Sequence, residues 1–352
     1  MENVLQGFKE RIVAAATDGK TLRIVGGGSK DWYGNRLRGA SLATGAYSGI
    51  VSYEPTELVV TARCGTPLAE IEAVLAQNNQ MLAFEPPHFG AAATIGGMVA
   101  SGLSGPRRQA VGAVRDFVLG AVLMDGKGEV LHFGGQVMKN VAGYDVSRLM
   151  VGALGTLGLL LEVSVKVLPR PVAETTLRFH LYQTEAIRRL NEWGGQPLPI
   201  SASAWEAGVL LLRLSGAAAA VTAAKKKLGG DELGSAEILW DDLREQRGAF
   251  FDGELPLWRL SLPSTAAPLT LRGEQLIEWG GAQRWLKSDA PAATIRAAAE
   301  QAGGHATLFR GGDKQLGVFH PLSPALATLH RNLKAEFDPA GIFNPGRLYA
   351  DM

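Results

Sequence analysis

A single cysteine, Cys64, stands in a chain of 352 residues. That excludes an internal disulfide, a cysteine-based zinc site and a Cys-ligated iron–sulfur cluster within the chain. A reducing compartment fits, so the expectation is a cytoplasmic protein, with attachment to the inner face of a membrane through partners left open. An excess of charge of either sign is also missing: 35 Lys and Arg stand against 34 Asp and Glu, and no basic run exceeds Lys225 to Lys227. The electrostatic footprint of a nucleic-acid binder is therefore absent. Long apolar runs are missing too. The longest, Leu149 to Leu161, is short for a bilayer and interrupted by three glycines, and the charged N-terminus lacks the apolar centre of a signal peptide. Histidine is sparse: His88, His132, His180, His305, His320 and His330 form no H-x-H or H-x-x-H spacing, so no metal-ligand set is legible.

What the chain has in excess is glycine, 44 residues, and these gather in loops. Gly26, Gly27, Gly28 and Ser29 follow a short apolar strand, Leu22 to Val25. Glycine turns tightly and lets backbone N–H groups approach a ligand without a side chain in the way, which suits a pyrophosphate. The spacing is not G-x-G-x-x-G, because Asp31 takes the third glycine position, and it is not a P-loop. A plain tight turn is the other reading. A second small-residue tract, residues 90–105 (GAAATIGGMVASGLSG), shows no helical or strand period. It reads either as backbone packed on something flat or charged, or as a helix and strand in tight contact.

Around these loops the pattern predicts a helix over residues 4–16 and a strand over 58–62. A helix capped by Thr66, with Pro67 at its first position, has a stripe of Leu68, Ile71, Val74 and Leu75. A hairpin turns at Asp125-Gly126-Lys127-Gly128. In the strand 162–167, valines alternate with Glu162, Ser164 and Lys166, giving one buried and one wet face. Pro169-Arg170-Pro171 reads as a hinge. Beyond it, strands at 209–214, 258–262, 283–287 and 305–309 and helices at 217–228, 239–250 and after Pro291 suggest two β-α-β units around an antiparallel sheet. Residues 326–349 read as a helix followed by an extended tail. The fold class is thus α+β, divided as 1–171, 172–325 and 326–352.

The order VGGGS, EPP at 85–87, ATIGG at 93–97, RDFVLG at 115–120 and GALGTLGLLLEVSVKVLP at 152–169 resembles the FAD-binding domain of the vanillyl-alcohol oxidase/p-cresol methylhydroxylase flavoproteins. The tail FDPAGIFNPGRLY at 337–349 resembles their C-terminal return to that domain. Within the family, the block 137–158 and the short middle region are most similar to the FAD-binding subunits of bacterial glycolate oxidases. The resemblance implies a two-subdomain FAD-binding domain, 1–171, a small antiparallel cap, 172–325, and the return, 326–352. It implies that Gly26, Gly27, Gly28 and Ser29 meet the pyrophosphate of FAD, and that Pro87, Thr94, Gly96, Gly97 and Ser101 line the path of the dinucleotide. Arg107, Asp116, Gly155 and Val163 are further candidates for adenosine or ring contacts. Asn344 and Arg347 reach the ring, or else form a turn that pins the C-terminus.

Relatives that attach FAD covalently carry a histidine in the glycine loop, where this chain has Ser29 and Lys30. The resemblance therefore implies non-covalent FAD. The related dehydrogenases hold a metal in a cluster of histidines, which is not visible here, and the general base is unassigned. Arg259 and Arg284, on cap strands, are candidates to hold a substrate carboxylate, the alternative being a solvated face or a subunit contact. Trp205, Trp258, Trp279 and Trp285 in the cap serve core, interface or stacking equally well. The function implied is that of a subunit that binds FAD and supports oxidation of glycolate, a small 2-hydroxy acid, to glyoxylate. Its partners are a catalytic flavoprotein subunit (D) and an iron–sulfur subunit that passes electrons toward quinone. A stand-alone FAD-dependent dehydrogenase and a non-catalytic assembly subunit are the alternatives.

Overall fold

The computed structural model describes residues 1–135, 146–234 and 236–352. Residues 137–145 of the block compared above lie outside them. The helix Glu2–Asp18 buries Phe8, Ile12 and Ala15 and stops where Gly19 turns left-handed, its N–H returning to the Ala15 carbonyl. The chain then enters the strand Leu22–Val25, paired in parallel with Ala40–Ala43. The C-terminal tail completes this small layer. Leu22 N–H donates to the Ile342 carbonyl and Asn344 N–H to the Leu22 carbonyl.

Next to it stands a five-stranded antiparallel sheet in the order Ile50–Glu54, Val59–Arg63, Leu159–Lys166, Val118–Met124, Val130–Gly134. The valine-rich segment is the middle strand of this sheet, with Val163, Val165 and Val167 buried and Glu162 and Lys166 partly exposed on the other face, so the expected alternation fails only at Ser164. Ser164 is buried and shares a 2.8 Å hydrogen bond with Thr61 on the neighbouring strand. The predicted hairpin turn forms, with Asp125 Oδ1 accepting from Lys127 N–H and Glu129 N–H. The helix expected from Thr66 starts one residue later than read, at Leu68–Gln77, with Pro67 in extended conformation at its cap. Thr66 Oγ1 is occupied instead by Gly49 N–H and the Arg63 carbonyl. The residue 90–105 tract, without a legible period, contains a seven-residue helix, Ile95–Ser101, capped by Thr94 Oγ1.

From Ala173 onward the chain builds an eight-stranded, wholly antiparallel sheet, larger than two β-α-β units. The strands Ala173–His180, Ile200–Glu206, Asp231–Leu233 and Glu274–Glu278 and the helix Gln183–Gly194 are parts the sequence pattern did not predict. The helix Pro324–Phe337 then leads the tail back to the first lobe. There Lys334 Nζ donates to Asp338 Oδ2 and to the Thr156 and Phe343 carbonyls, all buried. Among the described residues no helix is long and apolar enough to cross a membrane.

Candidate functional site

The strand Leu22–Val25 delivers residues 26–30 to the gap between the small parallel layer and the five-stranded sheet. Five successive N–H groups, Gly26 to Lys30, find no acceptor among the described residues, whereas Asp31 N–H and Tyr33 N–H close turns onto Gly28 and Lys30. Successive backbone N–H groups left open at a glycine turn make an anion cradle. Opposite them, the N-terminus of Ile95–Ser101 is already satisfied. Ile95, Gly96 and Gly97 N–H donate to Thr66 O, Cys64 O and Thr94 Oγ1. That helix supplies a surface rather than amides.

Several glycines of the two tracts are dictated by space. A Cβ on Gly26 would lie 2.6 Å from Thr94 Oγ1, on Gly27 1.5 Å from the Ala92 carbonyl oxygen, and on Gly96 2.7 Å from Cys64 Cβ. Gly155, at φ +70, would place a Cβ 2.7 Å from Asn344 Nδ2. Between these surfaces lies a cavity of about 80 Å³ lined by Gly26, Gly96, Gly97, Gly155 and Asn344, among others. Ligand sites run to roughly 300–1,000 Å³, so this cavity has room for only part of such a ligand. Asn344 stays fixed beside it: its Oδ1 accepts from Ile24 N–H at 2.9 Å and its Nδ2 donates to the Leu154 carbonyl.

Several candidates lie elsewhere. Val163 is fully buried in the middle of the five-stranded sheet, within its apolar core. Asp116 is exposed and caps a turn, accepting from Ala113 N–H. Ser101 spends its hydroxyl on the Met98 carbonyl. Arg347 donates to the carbonyls of Asn35 and Asp31, so it pins the tail to the glycine loop, and burial pushes its guanidinium down to about 10. Arg107 is a bridge between lobes: its Nε meets Glu85 at 3.1 Å and its Nη2 meets Glu174 at 2.7 Å. Arg284 is buried against its own lobe: each of its three guanidinium nitrogens donates to a carbonyl, those of Gly281, Ala267 and Ala266, at 1% residue exposure. The register sets it on the opposite face of the cap sheet from Arg259, because Arg259 pairs with Trp285.

The Arg259 face of the cap sheet closes over the first lobe. Arg259 Nη2 donates to Tyr33 Oη at 3.1 Å, and Trp279 Nε1 donates to the Gly105 carbonyl. Trp32, Tyr33, Phe89, Trp285 and Phe309 interlock there, with ring centroids 4.7 to 6.5 Å apart. Pro87 joins Phe89, Arg259 and Glu278 around a cavity of about 20 Å³. Sequence reasoning missed Glu278, which burial pushes up to about 7 against hydrogen bonds from Trp285 and Gln283. The available signal was its phase: Glu274, Leu276 and Glu278 alternate on one face of a strand, and an acid on an inward phase needs a reason to be there. Glu245 was missed as well. Its carboxylate accepts from His88 N–H and Phe89 N–H across the lobes. Among the described residues no group of three or more His, Cys, Asp or Glu is placed to hold a metal ion.

The two layers, the returning tail and the cap sheet are those of a flavoprotein of the p-cresol methylhydroxylase type. Residues 8–134 match the family model described as an FAD binding domain. Over 347 residues the chain is 52% identical to glycolate oxidase subunit GlcE of Escherichia coli, covering 99% of this chain and 98% of that one. It belongs to the glycolate oxidase subunit GlcE family. Matches to glycolate oxidase subunit GlcD of Bacillus subtilis (33% identity) and D-lactate dehydrogenase of Anaerostipes hadrus (34%) cover 36% of this chain and 27% and 26% of those proteins. In fold it is similar to alkyldihydroxyacetonephosphate synthase, with a TM-score of 0.68 at 14% identity over 96% of this chain and 73% of that one.

Proposed function

We propose that this chain is the FAD-binding subunit of a glycolate oxidase-type complex, holding the dinucleotide non-covalently and working beside a second flavoprotein subunit and an iron–sulfur subunit. The observation that carries the reading is the row of open amides from Gly26 to Lys30 inside an FAD binding domain. The near full-length identity to GlcE supports the complex. Bound FAD would supply the two-electron redox chemistry. The chain would supply placement: the amide row takes the diphosphate, and Gly96, Gly97 and Gly155 offer side-chain-free surface. Asn344 holds the Ile24 backbone and the 154–155 turn in position. The cap aromatics exclude water from the far end.

Two measurements test this. Acid precipitation of the purified, yellow full chain releases its flavin into the supernatant at one FAD per chain; flavin that stays with the pellet overturns non-covalent binding. The second concerns Lys30, whose Nζ donates to the His88 carbonyl at 3.0 Å. Burial, against the pull of Glu245, pushes its ammonium down to about 8. Below that pH it is charged and aids the diphosphate; above it the charge is lost. FAD affinity therefore falls as pH rises through about 8, by roughly tenfold. In Lys30→Met, affinity is lower at neutral pH and the fall is absent. A flat profile in the unmodified chain removes Lys30 from the diphosphate site.

A further inference from the structure

We propose that Glu278 is the proton acceptor for a small 2-hydroxy acid whose carboxylate pairs with Arg259 at the seam between the cap sheet and the FAD-binding lobe. The inference rests on the functional reading above and deepens it by naming the substrate end of the site.

The two residues share a surface by register. Arg259 pairs with Trp285, Trp285 with Leu276, and Gln283 with Glu278, which puts Arg259, Trp285, Gln283 and Glu278 on one face. Both charged groups line the same cavity, together with Pro87 and Phe89 from the first lobe. Arg259 has no carboxylate partner among the described residues; one nitrogen meets Tyr33 Oη and the guanidinium lies over the Tyr33 and Phe309 rings. Burial, then the charge of Arg259, holds nearby Arg108 below its usual range. A planar guanidinium without a carboxylate partner, as at Arg259, suits a substrate carboxylate.

Glu278 is 4% exposed, and two donors, Trp285 Nε1 at 2.5 Å and Gln283 Nε2 at 2.9 Å, both meet its Oε2. They fix the carboxyl without needing its second oxygen. Burial, with a contribution from Glu85, keeps it titrating near neutrality, where a general base is most effective. At about 20 Å³ the cavity admits roughly one oxygen-sized group, so a hydroxyl enters it while the carboxylate stays at Arg259. The step balances: the hydroxyl proton passes to Glu278, the carbinol hydrogen leaves with its electron pair to a flavin as oxidant, and a 2-oxo acid forms. The charged groups facing Glu278 are Arg259 from its own sheet, Arg244 from the helix Glu237–Glu245, and Glu85 from the first lobe.

The test uses the full chain loaded with FAD. In the unmodified protein the indole N–H resonance of Trp285, assigned through Trp285→Phe, shifts with a midpoint near pH 7 as its acceptor titrates; in Glu278→Gln the shift is gone. Anaerobic bleaching of the flavin by glycolate and lactate is at least ~100-fold slower in Glu278→Gln with FAD content retained. In Arg259→Met the half-saturating acid concentration rises roughly tenfold or more. An indole that does not titrate, or flavin reduction in Glu278→Gln at the unmodified rate, overturns the proposal. Failure of the unmodified chain to bind FAD overturns the functional reading, whereas a chain that binds FAD and is reduced by neither acid overturns the substrate role alone. A surviving indole titration would then mark Glu278 as a buried carboxyl with a positioning role only.

Discussion

Gly27→Val yields a folded chain that no longer retains FAD. The reason is space rather than backbone conformation, since the added Cβ would sit 1.5 Å from the Ala92 carbonyl oxygen and 2.4 Å from its carbon. Both are main-chain atoms, which no rotamer change can move, so residues 26–30 must part from residues 90–94. That separation breaks up the amide row and shifts Gly26 off Thr94 at the mouth of the cavity. We expect FAD affinity to fall by at least ~100-fold, equivalent to about 2.7 kcal/mol, read as the FAD-to-protein ratio after gel filtration. Gly28→Ala should lose less. Gly28 sits at φ +70 but faces only Asp31 at 3.7 Å, so its cost is left-handed strain of roughly 1–2 kcal/mol. Gly45→Ala, with nothing within 4 Å of the new Cβ, is the control. A Gly27→Val chain that purifies with a full complement of flavin places the diphosphate elsewhere.

How much of this was legible in the sequence depends on what kind of contact each residue makes. The glycine loop could be read because its requirement is local: a strand, then backbone without side chains. The hairpin at Asp125 was equally visible, since its turn chemistry lies within four residues. The strand Leu159–Lys166 showed alternation, but its place in the middle of the sheet, with Ser164 buried against Thr61, is a property of neighbours 100 residues away. Arg284 and Arg259 look alike in sequence. Only the register separates a guanidinium buried against three carbonyls from one that faces the other lobe with a tyrosine hydroxyl and, among the described residues, no carboxylate partner. Glu278 escaped for the same reason. The helix Ile95–Ser101 escaped because alanine and glycine leave no hydrophobic period, and its formation is decided by packing against Cys64 and Thr66.

The lobes are held together by a charge network whose disruption should cost more than any other single change outside the cofactor loop. Glu85 accepts from Arg107 N–H, Arg107 Nε and Arg213 Nη2, and Arg107 and Arg213 also reach Glu174. The side chains of Arg213 and Arg107 are only 4% and 7% exposed, so neither can turn to water if its acid is removed. Glu85 itself sits at φ 48, a conformation a non-glycine residue holds only when its contacts enforce it. Glu85→Ala therefore leaves two buried guanidinium groups to share the more exposed Glu174, and the expected loss is about 3–5 kcal/mol, measured as a shift of the urea midpoint with the slope unchanged. Glu174→Gln should cost clearly less, because that carboxylate is 29% exposed and water can replace part of what it gives. The same network sets the acid limit of the fold. Burial alone would raise Glu174, but Arg213, Ser215 and Arg107 together hold it below its usual range. A carboxylate depressed in the folded state stabilises the protein above its ordinary value, and that contribution fades as pH falls through the folded one. The chain should thus lose stability on the acid side, and Glu174→Gln should flatten that loss. A Glu85→Ala chain within about 1 kcal/mol of the unmodified protein would mean that the lobes are held by the aromatic cluster around Phe309 and not by this network.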